Sequence, residues 1–237
     1  MSVSVFVGNV EIVPLLDVDG WHLAGFFPSA PRDQWAAYRQ RYPGSLCDGE
    51  GGICVAAPDF VLRSDGKTVL VDTGVGPGPH ARLGGRSGQL LEDLQRHGIA
   101  PGDIDIVVIT HLHFDHVGWN AIEGPDGVVA VFSNARYLIP QKDWDHYTRP
   151  ELAERTAYLR NTIELERLGH VDLVEGARSI TSEVGLAPAP GHTPGHQVVL
   201  LGPHGDRGAI IGDAAHTPAQ LQETGWSPQV DFDPEMA

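Results

Sequence analysis

Cysteine is scarce in this sequence of 237 residues, which contains only Cys47 and Cys54. Two cysteines cannot form a disulfide framework, and we interpret them as typical of a reducing, cytoplasmic setting. Long apolar runs are absent too, because no uninterrupted run of hydrophobic residues is longer than five. We therefore expect no membrane-spanning helix. Residues 1–4 lack the basic segment and apolar stretch of a secretory leader, so we expect none.

Positive charge is also scarce, since 16 Lys and Arg residues stand against 31 Asp and Glu residues and give a net charge of −15. This charge repels nucleic acid backbones and anionic membrane surfaces, so we predict that neither is a partner. Histidine is abundant by contrast, with twelve residues that nearly match lysine and arginine in number. Such an excess of imidazole indicates metal or proton chemistry.

Hydrophobic residues make up 41% of the chain, which is enough for a buried core and too many for a disordered protein. No repeat or linker divides the sequence, so we predict a single domain over residues 1–237. Two groups of strands, with helices between and after them, predict a layered α/β fold. Strands are expected at 3–7, 10–16, 55–63, 68–72, 104–109, 128–132, 136–139, 171–174, 197–201 and 209–211. Helices are expected at 31–42, 88–97 and 151–168, the last being the longest.

The densest group of chemically active side chains follows the apolar strand at 104–109. Residues 111–116 are His-Leu-His-Phe-Asp-His. In an extended segment His111 and His113 point to the same side and can chelate one divalent ion, while a turn at Asp115 brings Asp115 and His116 back toward it. Nitrogen and oxygen ligands without thiolates favour zinc, with manganese, iron or cobalt as alternatives. A histidine-rich surface loop is the other interpretation, but this mixture of groups is costly to assemble unless a cation occupies it.

Four segments of the chain occur in an order that matches a known family. They are Val69-Leu70-Val71-Asp72-Thr73-Gly74, the His-Leu-His-Phe-Asp-His segment, Gly191-His192-Thr193-Pro194-Gly195-His196 and Ile210-Ile211-Gly212-Asp213. Together they resemble the signature segments of the metallo-β-lactamase fold hydrolases. The resemblance extends from about residue 50 to residue 213. It implies an α/β fold of four layers, the αβ/βα sandwich, with metals at the edge where the loops of the two sheets meet.

The resemblance also implies a role for each matching residue. His111, His113 and His192 would hold a first metal, Asp115 and His116 a second, and Asp213 would bridge the two. The implied cofactor is a pair of zinc ions, or of manganese, iron or cobalt ions, and the implied partner is a small-molecule substrate. A bound cation lowers the pKa of water from 15.7 to about 7, which makes a metal-bound hydroxide available. Asp115 would also act as a catalytic residue that passes a proton to the leaving group.

Three further residues are expected to support this site. Asp72 would orient a ligand imidazole through its other ring nitrogen, the alternative being a turn aspartate at a strand end. His196 would brace the ligand loop, with metal ligation as the alternative. His216 lies three residues after Asp213, where the lactone-hydrolysing branch of the family carries a tyrosine that touches the substrate. We treat it as a candidate catalytic residue that hydrogen-bonds a carbonyl or supplies a proton, and an uninvolved histidine is the alternative.

The substrate is predicted from the segments that flank the metal ligands. Residues 117–120 and 137–141, with Trp144, resemble the branch shared by lactonases and organophosphate hydrolases, so we predict a small, largely apolar ester or lactone. Hydrolysis of a thioester, a phosphotriester or a phosphodiester at the same site is an alternative, and a non-catalytic metal-binding scaffold is an alternative of a different class. Aromatic side chains could line the pocket or belong to the core, and these are Trp21, Phe26, Phe27 and Trp119.

The family's seventh ligand, a histidine well after the bridging aspartate, has no clear counterpart here, since only His216 follows Asp213. Asp233, Pro234 and Glu235 have the form of a helix start with Asp233 as the N-cap, yet only two residues follow. We expect that the natural chain continues past Ala237 with a helix, the seventh ligand and part of the pocket wall. Without that segment the second metal would bind more weakly than the first.

Overall fold

Thirteen strands and four α-helices lie within residues 4–46, 52–202 and 205–237, which are the residues that the computed structural model describes. The strands are β1 (Val5–Val7), β2 (Val10–Leu23), β3 (Ile53–Ser64), β4 (Lys67–Val71), β5 (Ile106–Val108), β6 (Ala121–Gly124), β7 (Gly127–Ala130), β8 (Arg136–Pro140), β9 (Val171–Val174), β10 (Arg178–Ser179), β11 (Val184–Pro188), β12 (Gln197–Leu201) and β13 (Gly208–Ile210). The helices are α1 (Arg32–Arg41), α2 (Leu90–Arg96), α3 (Gln141–Tyr147) and α4 (Arg160–Arg167).

The largest sheet has seven strands in the order β1-β2-β3-β4-β5-β8-β9. Strands β1 to β4 pair antiparallel, whereas β4, β5, β8 and β9 pair parallel. Apolar residues fill consecutive positions of β4 and β5, as expected for parallel strands that are covered on both faces. Because parallel strands end at the same edge of a sheet, the loops after β4, β5 and β8 meet there.

Alternation along the central strands divides the core into two parts. In β4, Val69 and Val71 belong to a cluster that includes Leu186 and Val199 of the second, four-stranded sheet, whose order is β10-β11-β12-β13. Leu70 points the other way, into a cluster that contains buried residues of α2 and α4. Helices, large sheet and second sheet thus form successive layers of an α/β sandwich, as the sequence predicts.

The helix that is expected at 151–168 is not continuous. Two 3₁₀ turns, Pro150–Leu152 and Ala157–Leu159, precede α4, and α1 is the longest helix in the described ranges. The backbone N–H of Thr156 bonds to the carbonyl oxygen of Leu152 (3.0 Å), but the next turn closes on a bond of 3₁₀ type from Leu159 N–H to the carbonyl oxygen of Thr156 (2.8 Å), which breaks the helix. The sequence pattern also misses α3, β6, β10 and β11.

The structure bears on two expectations from the composition, the state of the cysteines and the lack of a membrane-spanning helix. Cys54 in β3 takes part in a disulfide bond, so it is not the reduced thiol that the composition led us to expect. Cys47 lies outside the described residues. Over the part of the chain that is described, no helix has both the length and the apolar character needed to cross a membrane.

A buried aspartate in β2 ties three segments together near the edge where the parallel strands end. The carboxylate of Asp17 accepts hydrogen bonds from the backbone N–H of Val75 (2.6 Å), the backbone N–H of Leu90 (2.8 Å) and the indole N–H of Trp119 (3.1 Å). Burial raises the pKa of Asp17, while these hydrogen bonds favour its ionised form. The loop after β4, the start of α2 and the loop after β5 are therefore anchored to one side chain.

A second buried aspartate, Asp59 in β3, supports the same loop. Its Oδ1 atom accepts a hydrogen bond from the backbone N–H of Gly74 (2.9 Å), whereas its Oδ2 atom has no hydrogen-bonding partner within the described residues. Burial, followed by the neighbouring carboxylates of Asp17 and Asp72, raises the pKa of Asp59 well above its ordinary value. The folded protein therefore holds a proton on Asp59 at pH values where the unfolded chain does not.

The free energy of unfolding should fall with rising pH because of Asp59. Above the ordinary aspartate pKa the unfolded chain loses this proton while the folded protein keeps it, which costs up to about 1.4 kcal/mol per pH unit until the raised pKa is reached. Asp59→Asn removes the ionisation, so its stability relative to wild type should increase from pH 5 to pH 8. Urea unfolding of both proteins, with metal removed by a chelator, measures this, and Asp33→Asn on the exposed side of α1 is the control. Parallel pH curves for wild type and Asp59→Asn would show the interpretation to be wrong.

Candidate metal centre

The histidine segment forms the loop that follows β5, and neighbouring elements hold it at the edge of the sheet. Asp72, directly after β4, has a left-handed backbone conformation with φ of 60°. Its carboxylate accepts hydrogen bonds from the backbone N–H and the hydroxyl of Thr110, both at 2.7 Å. The backbone N–H of Gln197, at the start of β12, donates to the carbonyl oxygen of Thr110 (3.0 Å). The ends of β4 and β5 and the second sheet are thus joined at one point.

Four side chains that the sequence placed at a first metal come together in this structure. His111, His113, His192 and Asp213 each offer one ligand atom, and these atoms all lie within 4.8 Å of one another. The Nδ1 atom of His113 is 3.1 Å from Nε2 of His111 and 2.9 Å from Nε2 of His192. The Oδ2 atom of Asp213 is 3.3 Å from Nε2 of His192. Imidazole nitrogens and a carboxylate oxygen at this spacing are a donor set that could hold a divalent metal.

The outer ring nitrogen of each clustered histidine has a hydrogen-bonding partner. The pairs are His111 Nδ1 with Thr110 Oγ1 (3.1 Å), His113 Nε2 with Tyr147 Oη (3.1 Å), His192 Nδ1 with Asp231 Oδ1 (2.8 Å) and His116 Nδ1 with Asp72 Oδ2 (2.9 Å). A ring that donates from its outer nitrogen can offer the lone pair of its inner nitrogen to a metal. All four rings are therefore oriented as metal ligands would be.

A second set of groups lies on the other side of Asp213. Nε2 of His116 is 3.6 Å from Oδ1 of Asp213 and 3.9 Å from Oδ2 of Asp115. Asp213 thus turns one carboxylate oxygen toward His192 and the other toward His116. A carboxylate in this position can bridge two ions, which is the arrangement that the resemblance implies.

Buried carboxylates stabilise positive charge in the cluster. Although burial disfavours a charged imidazole, the carboxylates of Asp213 and Asp231 outweigh it and raise the pKa of His192 to about 9. Burial also opposes charge on His116, but the surrounding carboxylates, Asp213 foremost, raise its pKa well above the ordinary value. His113 has less compensation, and burial lowers its pKa to about 3. The surrounding carboxylates thus favour positive charge within the cluster, and a bound divalent cation would meet the same carboxylates.

The two supporting histidines, His196 and His216, both contact Asp213. Nε2 of His196 accepts a hydrogen bond from the backbone N–H of Asp213 (3.1 Å), and burial lowers the pKa of His196 to about 4. Nε2 of His216 lies 3.2 Å from Oδ2 of Asp213, and its ring packs at 4.8 Å against the ring of Phe26. His216 therefore lies beside the cluster, in contact with Asp213.

Three residues that the sequence analysis did not select also contribute to the site. Tyr147 and Asp231 are the partners of His113 and His192, and Asp143 is a buried carboxylate beside both ligand loops. Asp231 lies 39 residues after His192, so no local pattern connects the two. A buried carboxylate could have been suspected for His192 from the general preference of ligand imidazoles, but its position in the chain could not.

The expected aromatic residues divide between pocket and core. Trp21 packs edge to face with Phe114 of the histidine segment, at 5.7 Å between ring centroids, and Phe26 contacts His216. Phe27 and Trp119 are instead buried in hydrophobic clusters. Trp21 thus lies against the histidine segment, and Phe26 lies against His216.

A layered α/β sandwich with two adjoining sets of imidazole and carboxylate groups at one edge is the architecture of a metal-dependent hydrolase. The model of the Metallo-beta-lactamase superfamily matches residues 54–233, and the chain belongs to this superfamily. The chain is therefore a metal-dependent hydrolase that uses a metal cofactor, and the clustered imidazoles and carboxylates are the groups that could hold it.

Related sequences include two N-acyl homoserine lactonases of bacilli. The lactonase AiiA of Bacillus thuringiensis subsp. kurstaki is 26% identical over 199 residues, covering 75% of this chain and 70% of AiiA. The lactonase of Bacillus cereus is 29% identical over 198 residues with the same coverage.

Solved structures of low identity show the same fold. A probable metal-dependent hydrolase from Staphylococcus aureus has a TM-score of 0.81 at 21% identity, covering 98% of this chain and 82% of that one. AidC, a dizinc quorum-quenching lactonase with a bound product, has a TM-score of 0.80 at 21% identity, covering 99% and 82%.

Asp231→Asn should weaken metal binding by about 10- to 100-fold, because the hydrogen bond that orients His192 and raises its basicity is lost. Zinc affinity of the chelator-stripped protein, measured by competition with a chromophoric chelator, tests this expectation. Asp233→Asn is the matched control, since the Asp233 carboxylate accepts backbone N–H groups of the terminal turn, as its predicted N-cap role requires. Zinc affinity equal to that of wild type in Asp231→Asn would contradict the assigned role of Asp231.

Proposed function

We propose that this protein hydrolyses lactones and that N-acyl homoserine lactones are its substrate class. The observation that carries the proposal is the orientation of four histidines whose outer nitrogens are hydrogen-bonded and whose inner nitrogens face Asp213 and one another. The related N-acyl homoserine lactonases match three quarters of the chain, which favours a lactone over other esters.

The cofactor is a pair of zinc ions in this proposal, because the donors are nitrogen and oxygen atoms without thiolates. His111, His113 and His192 would hold the first ion, Asp115 and His116 the second, and Asp213 would contact both. Such ions, when bound, lower the pKa of a water molecule to about 7 and supply hydroxide at neutral pH. The imidazoles keep their orientation during the reaction through their hydrogen bonds to Asp72, Thr110, Tyr147 and Asp231.

Asp115 would return a proton to the oxygen that is released when the lactone ring opens. Its side chain is 18% exposed and lies beside His116. Burial raises the pKa of Asp115, while the neighbouring imidazole of His116 lowers it.

His216 would orient the substrate carbonyl against the metal centre. Its Nδ1 atom is buried and has no hydrogen-bonding partner in the described part of the chain, so a ligand oxygen could pair with it. Phe26 packs against the same ring, and Trp21 with Phe114 provides apolar surface for an acyl chain.

The partner in this proposal is a small molecule, and the net charge of −15 supports the absence of a nucleic acid partner. A cytoplasmic location stays a prediction from the sequence, and the disulfide bond at Cys54 does not favour it.

The zinc-loaded protein should open N-acyl homoserine lactones faster than it hydrolyses a thioester, a phosphotriester or a phosphodiester of comparable size.

Asp115→Asn should lower kcat by ~10²-fold, the usual contribution of general acid–base catalysis. The double variant His111→Ala/His113→Ala should lose both bound zinc and activity. Measurements are kcat and KM for each substrate, with zinc content determined by elemental analysis. Full lactonase activity in the double variant, or a phosphoester as the preferred substrate, would contradict the proposal.

His216→Phe should raise KM for lactones about 10-fold and change kcat less, because one hydrogen bond to the substrate carbonyl is worth roughly 1.4 kcal/mol. Phenylalanine fills the same space against Phe26, so the pocket wall is kept. His97→Phe at the end of α2 is the control, since His97 bonds only to its own helix in the described structure. If kcat and KM of His216→Phe equal those of wild type for lactones of several acyl chain lengths, His216 does not contact the substrate.

A further inference from the structure

One fully buried carboxylate lies between the two loops that carry the histidines of the first metal set. Asp143 is in the first turn of α3 and its side chain is inaccessible to solvent. Its Oδ2 atom accepts hydrogen bonds from the backbone N–H of Leu112 (3.0 Å) and the hydroxyl of Thr193 (2.8 Å). Its Oδ1 atom accepts the backbone N–H of Gly195 (2.6 Å). All three donors belong to the ligand loops.

The positions of these donors connect Asp143 to the histidines themselves. Leu112 lies between His111 and His113, and Thr193 directly follows His192. A shift of either donor would therefore move the peptide units that carry the three imidazoles. The donors lie 31, 50 and 52 residues from Asp143 in sequence, so the carboxylate joins segments that the chain itself does not hold together.

The packing around this contact leaves no room for another arrangement. A Cβ atom at Gly195 would lie 2.5 Å from the backbone nitrogen of Asp143 and 2.9 Å from its Oδ1 atom, so only glycine lets the loop approach. The Asp143 side chain makes no cap for its own helix. Its hydrogen bonds therefore serve the loops and not α3.

We propose that Asp143 is a positioning residue that holds the 111–113 and 192–195 loops in register, so that the inner nitrogens of His111, His113 and His192 converge before a metal binds. This inference rests on the proposed assignment of those histidines as ligands. Loops that are already ordered lose little conformational freedom when the ion arrives, and the saving appears as metal affinity. Without the carboxylate, three buried donors lose their partner and the loops must be ordered by the metal itself.

Asp143→Asn tests the inference with the smallest change of shape. Asparagine keeps one acceptor oxygen, but its NH₂ group faces a donor at the other position, so the link between the loops is broken on one side. Zinc affinity of the metal-free, full-length protein should fall by about 10- to 100-fold, the usual loss when a group that orients metal ligands is removed. Competition with a chromophoric chelator gives the affinity, and urea unfolding of the same metal-free samples gives the stability.

Asp93→Asn is the matched control. Asp93 is a buried aspartate in α2 that accepts the backbone N–H of Leu16 (2.9 Å) and pairs with Arg96, away from both ligand loops. It should lose stability with unchanged zinc affinity. Thr193→Val removes one of the three hydrogen bonds, should reduce zinc affinity less than Asp143→Asn does, and serves if Asp143→Asn fails to fold.

Two results would overturn the inference. One is zinc affinity equal to that of wild type in the folded variants at Asp143 and Thr193. The other is an equal loss of zinc affinity in Asp93→Asn, which would assign the effect to general stability. Zinc affinity and stability are both measured without substrate. A wild-type protein that binds zinc tightly but opens no lactone would therefore refute the proposed function and leave the role of Asp143 intact.

Discussion

The hydrogen bond on the outer nitrogen of each clustered histidine is the interaction on which the rest of the site depends. An imidazole has two nitrogens, and the partner of one decides which face of the ring the other presents. Here a hydroxyl, a phenol and two carboxylates make that choice for four rings. Three inner nitrogens converge beside one oxygen of Asp213, and the inner nitrogen of His116 faces its other oxygen. Remove these partners and the same histidines could rotate or exchange protons. The candidate metal centre therefore depends on the groups around the histidines as much as on the histidines themselves.

Those partners come from distant parts of the fold, which explains why the site needs the whole sandwich. Asp72 stands at the end of β4, Tyr147 at the end of α3, and Asp231 near residue 237. The backbone strengthens the last connection, since Phe232 N–H donates to the carbonyl oxygen of His192 (3.1 Å). Parallel strands deliver the first two loops to one edge, and the second sheet delivers His192 and Asp213 from the opposite side. Neither sheet alone contains a complete set of donors.

The sequence predicted the parts of this arrangement that are local. The spacing of His111 and His113 after an apolar strand, and the order of four short segments, were enough to predict the layered α/β fold and the residues that cluster. The contacts of Asp143 and Asp231 could not be predicted, because they join positions dozens of residues apart and each aspartate looks like many others on an acidic chain. The prediction of one helix over 151–168 was wrong because the chain forms two 3₁₀ turns before α4, and the backbone bond from Leu159 to Thr156 spans three residues instead of four. Cys54 was misread because pairing of cysteines depends on proximity, not on number.

Asp72 combines two requirements that few amino acids can meet. Its backbone is left-handed, with φ of 60°, a conformation that glycine, asparagine and aspartate tolerate and most other residues do not. Its side chain must also be a short carboxylate, because it accepts hydrogen bonds from Thr110 and from the ring of His116. Glutamate retains the charge but not the backbone preference, while glycine and asparagine retain the backbone preference but not the charge. A substitution at position 72 would therefore lose either the left-handed backbone or the carboxylate that Thr110 and His116 share, so the turn after β4 and the orientation of the His116 ring depend on one residue.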